Sequence, residues 1–264
     1  MIVSVRAAAT YELPAATCLW LMVEPALEGQ AHRVVAERLM TDPGVAGELR
    51  RDLYGNVVRS LTAPAGRFTF EFNARIEVEP NTAVPAEAIE HRPQDLPPEV
   101  TVYTMPSRYC QSDLLARMAN DEFGGLSPGG GRVRAIAEWV RRHVEYRYGT
   151  TDSLTSAYDT ATERVGVCRD FAHLVIAFCR ALGVPARYLS GYAPGLEPPD
   201  FHGYVQVYLG GAWHNVDATA AEPRPALVPI AAGRDAADVA IATLWGRNAL
   251  LEQSVEVREM PGGR

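Results

Sequence analysis

Residues 166–183 read Gly-Val-Cys-Arg-Asp-Phe-Ala-His-Leu-Val-Ile-Ala-Phe-Cys-Arg-Ala-Leu-Gly. Apolar side chains recur in this stretch at helical spacing, which predicts a helix with one face in a core. Gly183 ends that helix, and Gly166 permits a close approach of the backbone before its first turn. Cys168 therefore falls in the first turn, where free N–H groups and the helix dipole favour an anion.

This position suits a nucleophilic cysteine, because the reactive species is the thiolate and a helix amino terminus stabilises it. The N–H groups of the same turn are candidate donors to an oxyanion. The other three cysteines are Cys18, Cys110 and Cys179. None of the four forms a CxxC pair, so we expect neither a zinc ribbon nor a redox site and interpret the other three as packing residues.

A histidine and an aspartate follow at a distance that can be worked out from one hairpin. Gly210-Gly211 predicts a two-residue turn between two alternating strands, so Leu209 faces Ala212. In this register His202 and Asp217 are diagonal neighbours on one side of the ribbon, within reach of a hydrogen bond. His214 falls on the opposite side, and we interpret it as structural.

The three residues predict a Cys-His-Asp catalytic triad. His202 would deprotonate Cys168 and later protonate the leaving group, and Asp217 would hold the imidazole and stabilise its charged form. All three are also competent zinc ligands. A helix-activated thiolate explains them without a metal, so we expect no metal and no organic cofactor.

Composition limits the partners. The chain has 264 residues, a net charge of −7 and no lysine, so all 25 basic residues are arginine. This charge argues against nucleic acid or an anionic membrane as a partner, since both attract basic surfaces. No membrane-spanning run or signal peptide is visible, and free thiols are typical of the cytoplasm, where we expect the protein to be.

The chain divides into a β-rich amino-terminal lobe with a proline-rich connection, residues 1–105, and a mixed region, residues 106–264. Helices are predicted over 107–123 and 132–146, and strands over 186–192, 204–209 and 212–218. Little pattern is visible from residue 220 until 235–244. The predicted fold class is α+β.

The core motifs resemble the bacterial transglutaminase-like superfamily, whose members are often described as candidate cysteine proteases. The resembling segments are Ser156–Thr160, Arg164–His173, Cys179–Tyr188, Ser190–Tyr192 and Asp200–His202 through Asp217–Thr219. The resemblance implies a papain-like core, in which a helix bearing the cysteine packs on an antiparallel sheet bearing the histidine and aspartate. It also implies an acyl-cysteine intermediate and the same triad of Cys168, His202 and Asp217.

The sequence departs from the family pattern beside the base. Many members have His-Ala-Trp and a glutamate two residues on, where this chain has His202-Gly203-Tyr204 and Gln206, and Asp-Pro-Thr is here Asp217-Ala218-Thr219. No catalytic group is lost by these changes. They place Gly203 and Tyr204 next to the histidine, where they would shape the acyl pocket.

One mechanism serves several outcomes. Attack on the acyl-cysteine by water gives a peptidase or amidase, and attack by an amine gives a transglutaminase. We expect an enzyme acting on a peptide or amide. The alternative is release or cyclisation of an acyl thioester, free or bound to a carrier protein, as in Dieckmann-type cyclases. A third hypothesis is a scaffold or partner-docking protein without activity. Four candidates remain open for a second oxyanion donor: Tyr146, Tyr148, Ser156 and Tyr158.

Overall fold

The amino-terminal region is built from strands. The computed structural model of the protein describes residues 1–25 and 32–260. Buried and exposed side chains alternate along the long strands, and the apolar ones form one face of the core. The strands are β1 (Ile2–Leu13), β2 (Thr17–Leu21), β3 (His32–Asp42), β4 (Glu48–Arg51), β5 (Val57–Ala63) and β6 (Gly66–Val78).

Two further strands of these sheets come from the carboxyl-terminal end of the chain. β13 (Ala242–Trp245) pairs with β2, and β14 (Ala249–Met260) pairs with β1, both antiparallel. The two four-stranded sheets have the orders β14-β1-β6-β3 and β13-β2-β5-β4. A division at residue 105 would assign β13 and β14 to the second region, whereas their backbone hydrogen bonds join the first. They cover β1 and β2, which would otherwise be edge strands with unpaired backbone groups.

The helices follow the proline-rich connection. They are α1 (Pro98–Thr101), α2 (Ala116–Phe123), α3 (Gly130–His143), α4 (Ala157–Glu163) and α5 (Cys168–Ala181). The helix predicted over 107–123 is therefore much shorter. The backbone N–H groups of Ser107 and Cys110 each donate to the carbonyl oxygen of the other residue, and the Tyr109 N–H donates to the Asp235 carboxylate. These bonds hold the segment in a non-helical conformation. After α3 the chain forms β7 (Glu145–Tyr146), parallel to β8 (Val165–Gly166).

The third sheet lies in the second region. Its strands are β9 (Ala186–Tyr192), β10 (His202–Leu209), β11 (Ala212–Val216) and β12 (Val228–Gly233), in the order β11-β10-β9-β12. All neighbours are antiparallel, and Leu209 pairs with Ala212 and Val207 with His214, so the predicted hairpin register is confirmed. β12 was not expected from the sequence.

Helix α5 packs on one face of this sheet. Its apolar residues share a core cluster with Val205, Val207 and Leu209 of β10. The polar residues His173 and Arg180 of α5 are also buried, and Arg180 donates to the carbonyl oxygens of Ala186 and Arg234. The α+β architecture, with the cysteine helix against an antiparallel sheet, is confirmed. Within residues 1–25 and 32–260 no helix is long and apolar enough to cross a membrane.

Candidate active site

The first turn of α5 presents Cys168. The helix begins at this residue, after Val167 in extended conformation. Asp170 caps the turn, since its Oδ2 accepts hydrogen bonds from the Val167 N–H at 2.9 Å and from the Thr151 hydroxyl at 2.8 Å. Gly166 is required by space, because a Cβ there would lie 2.7 Å from the Asp170 Cβ. The Asp170 cap and the close approach at Gly166 thus hold the first turn of α5, which carries Cys168.

The predicted base, His202, and its predicted partner, Asp217, lie on the hairpin. His202 is the first residue of β10, and Asp217 follows the last residue of β11. The His202 Nε2 lies 2.7 Å from the Asp217 Oδ2, and both side chains are almost completely buried. The diagonal contact expected from the hairpin is thus present in the structure.

Asp217 has four hydrogen-bond donors. His202 and the Arg224 Nε contact its Oδ2, at 2.7 and 2.9 Å, and the backbone N–H and hydroxyl of Thr219 contact its Oδ1, at 2.9 and 2.7 Å. A buried carboxylate that accepts this many bonds is held ionised and in one orientation. Sequence reasoning missed Thr219 and Arg224 as partners. The threonine two residues after the aspartate resembles a local turn signal, but nothing in the sequence indicates Arg224.

The two charges stabilise each other. Burial by itself would lower the pKa of His202, but hydrogen bonds with Asp217 and with the Cys168 side chain outweigh it and raise this pKa to about 9. Burial would raise the pKa of Asp217, but bonds from His202 and Thr219 and the charge of His202 lower it. Each group therefore favours the charged form of the other.

The Cys168 sulfur lies close to the His202–Asp217 pair. Cys168 is half-buried, and its Sγ lies 4.0 Å from the backbone oxygen of Phe201, the residue before His202. Because Nε2 of His202 is engaged by Asp217, Nδ1 is the nitrogen left for Cys168. Nδ1 forms no hydrogen bond of standard geometry with a described residue, which leaves it available to the Cys168 side chain. The structure thus brings the three predicted residues together in the order sulfur, imidazole, carboxylate.

The other cysteines are placed differently. Cys110 and Cys179 are fully buried, and burial raises the pKa of each thiol to about 12. Cys18 is exposed on β2. No group of three or more metal-ligating side chains occurs in the part of the chain that the structure describes.

One of the four candidate oxyanion donors lies against the start of α5. Tyr146 pairs with Gly166, two residues before Cys168, and its ring lies 5.6 Å from that of Phe171. Partial burial, and next the negative charge of Cys168, raise the pKa of Tyr146. Ser156 is the N-cap residue of α4, and the Asp159 carboxylate accepts from its backbone N–H at 2.9 Å and from its hydroxyl at 2.6 Å. Tyr158 is exposed, and the Tyr148 hydroxyl lies 3.4 Å from that of Tyr146.

A contact from the amino-terminal sheets supports the loop before His202. The Gln253 side chain, on β14, donates to the Asp200 Oδ1 at 3.0 Å, and the same oxygen accepts from the Phe201 N–H at 2.7 Å. The long separation in sequence between Asp200 and β14 explains why no local pattern indicates this bond. The carboxyl-terminal strand thus reaches the loop that leads into His202.

Comparison with known proteins agrees with this geometry. The family model of the transglutaminase-like superfamily matches residues 117–218. A candidate cysteine protease of known structure from Cytophaga hutchinsonii is 37% identical, with a TM-score of 0.90 over 100% of this chain and 92% of its own. An uncharacterised protein of Mycobacterium tuberculosis is 32% identical over 198 residues, 70% of this chain and 62% of that protein.

A human relative has a functional name. Kyphoscoliosis peptidase of Homo sapiens is 31% identical over 100 residues, which are 33% of this chain and 15% of the peptidase. The chain spans less than two thirds of the length of these mycobacterial and human relatives. With the close structural match over its whole length, the chain belongs to the transglutaminase-like superfamily.

Proposed function

We propose that the protein is a thiol-dependent acyl transferase or hydrolase acting on a peptide or amide bond, with Cys168 as nucleophile, His202 as acid and base, and Asp217 as its orienting partner. The observation that carries this proposal is the engagement of the His202 Nε2 by Asp217, which leaves Nδ1 for Cys168. The imidazolium so held stabilises a thiolate next to it.

The first half-reaction forms the acyl-enzyme. The Cys168 thiolate attacks the amide carbon, a C–S bond forms, and the carbonyl electron pair moves to oxygen. The Cys168 backbone N–H and the Tyr146 hydroxyl are the candidate donors to this oxyanion. When the pair returns, the C–N bond breaks and the leaving amine takes the proton from the His202 Nδ1.

The second half-reaction releases the acyl group. Water or an amine gives a proton to His202 and attacks the acyl carbon, the C–S bond breaks, and the thiolate returns. Hydrolysis and amide formation thus differ only in the attacking group. The names of the human and Cytophaga relatives support an amide bond as substrate. The free cysteines support a reducing compartment, and we place the activity in the cytoplasm on that ground.

The test uses substrates of different acyl chemistry on the intact protein. Fluorogenic casein reports hydrolysis, incorporation of dansyl-cadaverine into casein reports amine attack, and an N-acetylcysteamine thioester reports thioester release. We expect turnover of an amide-containing substrate and an acyl adduct on Cys168 in the intact mass. Cys168→Ala and His202→Ala should abolish both, and Cys179→Ala is the matched control that should retain them. Turnover of the thioester alone would contradict the proposal.

A further inference from the structure

An arginine shares the carboxylate oxygen that His202 contacts. Arg224 lies in the loop between β11 and β12, and its Nε donates to the Asp217 Oδ2 at 2.9 Å. The same oxygen lies 2.7 Å from the His202 Nε2. The Arg224 Nη2 also donates to the Thr219 hydroxyl at 3.3 Å, and that hydroxyl donates to the Asp217 Oδ1 at 2.7 Å. Arg224 therefore reaches one carboxylate oxygen directly and the other through Thr219.

Burial strengthens this ion pair. Only 4% of the Asp217 side chain and 19% of the Arg224 side chain are exposed. The attraction between partly buried charges is several times larger than between exposed ones, because less water screens it. A guanidinium does not titrate in the range in which enzymes work, so its charge is permanent. Two cations thus share the charge of Asp217, and only that of His202 depends on pH.

The charges around His202 change during the proposed reaction. Burial lowers the pKa of His202, whereas hydrogen bonds with Asp217 and Cys168, and then the charges of these two residues, raise it. The contribution of Cys168 disappears once its sulfur carries an acyl group. Asp217 is then the anion that is still hydrogen-bonded to His202, and Arg224 compensates the charge of that anion.

We propose that Arg224 is a positioning residue that holds Asp217 and offsets its charge, so that His202 is neutral in the acyl-enzyme and can act as base in the second half-reaction. This role rests on the proposed function, because it concerns the acyl-cysteine. The leaving amine takes the proton from His202 in the first half-reaction. A more basic imidazole would take another proton from the solvent, and it could then accept none from water or an amine.

Two other titratable side chains face the His202–Asp217 pair. Burial raises the pKa of Asp200, in the loop before β10, and the charge of His202 is one of the groups that lower it. The ring of Tyr204 lies 6.0 Å from the imidazole, and burial and the charge of Asp217 raise its pKa. Neither group carries a positive charge. Among the described residues, Arg224 is therefore the permanent cation that contacts this pair.

The first measurement needs no turnover. Iodoacetamide converts Cys168 to a thioether without charge on sulfur, as in the acyl-enzyme, and the imidazole resonances of His202 are then followed in the full chain by nuclear magnetic resonance. In the blocked wild type we expect a midpoint below the value of about 9 that applies with a free Cys168. Arg224→Met removes the cation and keeps an apolar stem. We expect its midpoint to lie about one pH unit above that of the blocked wild type.

Arg59→Met is the matched control. Arg59 pairs with Glu24 in the amino-terminal sheets, and 25% and 9% of these side chains are exposed, so the burial is similar. This variant should leave the His202 midpoint unchanged. Arg224→Gln removes the charge but keeps an amide donor for Asp217, and it should raise the midpoint as Arg224→Met does. If Arg224→Met does not fold, Arg224→Gln decides the proposal.

The second measurement uses p-nitrophenyl acetate, whose first turnover reports acylation of Cys168 and whose steady state reports release of the acetyl group. Cys168→Ala gives the background rate. In Arg224→Met we expect the acid limb of the steady-state rate to move up by about one pH unit, which is an about tenfold loss at the acid end. At alkaline pH the rate should stay within about twofold, because His202 is neutral in both proteins. Arg59→Met should follow the wild-type profile.

The outcomes separate the two levels of inference. An unchanged His202 midpoint in blocked Arg224→Met, with an acetyl adduct on Cys168 and turnover, would overturn the role of Arg224 and leave the proposed function in place. Equal shifts in Arg224→Met and Arg59→Met would assign the effect to lost stability and also overturn that role. If wild-type Cys168 forms no acetyl adduct and reacts with iodoacetamide no faster than a free-thiol peptide, both are overturned.

Discussion

Helix α5 carries one cysteine near each of its ends, and the two cysteines lie in opposite environments. Cys168 lies in the first turn, half-buried, with His202 beside its sulfur. Cys179 lies three turns on, completely buried in the apolar core, where the lack of solvent raises the pKa of its thiol to about 12. The residue type and the helix are the same in both cases. The contrast shows that position along one helix decides whether a thiol lies at an open helix end beside a histidine or in the apolar core.

The largest expected effect is on activity in Cys168→Ser and on stability in Cys179→Ser. Cys168→Ser should reduce acyl transfer at least about 10⁴-fold, since a serine hydroxyl stays protonated in a site built for a thiolate, and should leave the stability nearly unchanged. Cys179→Ser should lower the free energy of unfolding by about 2 kcal/mol, because it buries a hydroxyl in an apolar core. Its activity per folded molecule should match wild type. Urea unfolding measures the stability of both variants, and turnover of the accepted substrate measures their activity. An inactive but stable Cys179→Ser would contradict the assignment of Cys179 to the core.

The next effect concerns pH. Because the pKa of His202 is raised from 6.5 to about 9, the stability it contributes through Asp217 is fully present below pH 6.5 and is lost as the pH rises through about 9. The lowered pKa of Asp217 gives a contribution that is present above about pH 4 and is lost as the pH falls further. We therefore expect the melting temperatures of wild type and Asp217→Asn to differ most near pH 6 and to converge above pH 9. The imidazole resonances of His202 should titrate near pH 9, and a midpoint near 6.5 would contradict the ion pair.

The capping carboxylate at the amino terminus of α5 should have an intermediate effect. Asp170→Ala removes the acceptor of the Val167 N–H and of the Thr151 hydroxyl, so we expect a loss of about 2 kcal/mol in the free energy of unfolding and slower alkylation of Cys168. Asp159→Ala is the matched control, because Asp159 caps α4 in the same way by accepting from Ser156. It should lower stability by about 1 kcal/mol and leave the alkylation rate unchanged. Equal alkylation losses in both variants would show that the cap does not position Cys168.

The smallest effect is expected far from α5 in sequence. Gln253→Ala removes one exposed hydrogen bond to Asp200, so the free energy of unfolding should change by about 0.5 kcal/mol or less. The loop before His202 loses a support, and we expect a two- to threefold loss in turnover without a change in the pH profile. Hydrogen exchange at Phe201 and His202 reports the loosened loop. A loss above about tenfold would mean that the amino-terminal sheets contribute directly to the site.

Local signals determine much of the site. The apolar period after Cys168 and the glycine at each end predict α5, and the paired glycines after Leu209 predict the register that places Asp217 diagonal to His202. These features depend on residues a few positions apart, where backbone geometry leaves few alternatives. The helix predicted over residues 107–123 is wrong at its start for the opposite reason. Its first part is held by distant groups, the carboxylate of Asp235 and the guanidinium of Arg180.

The sequence by itself determined the helix that begins at Cys168, the strand that carries His202 and the side of that strand facing Asp217. Only the tertiary structure decided what surrounds them: Arg224 on Asp217, Gln253 on Asp200 and β14 beside β1. Periodicity and turn chemistry are local and can be worked out along the chain. Contacts between residues far apart in sequence depend on how the whole chain folds, so no local sequence pattern predicts them.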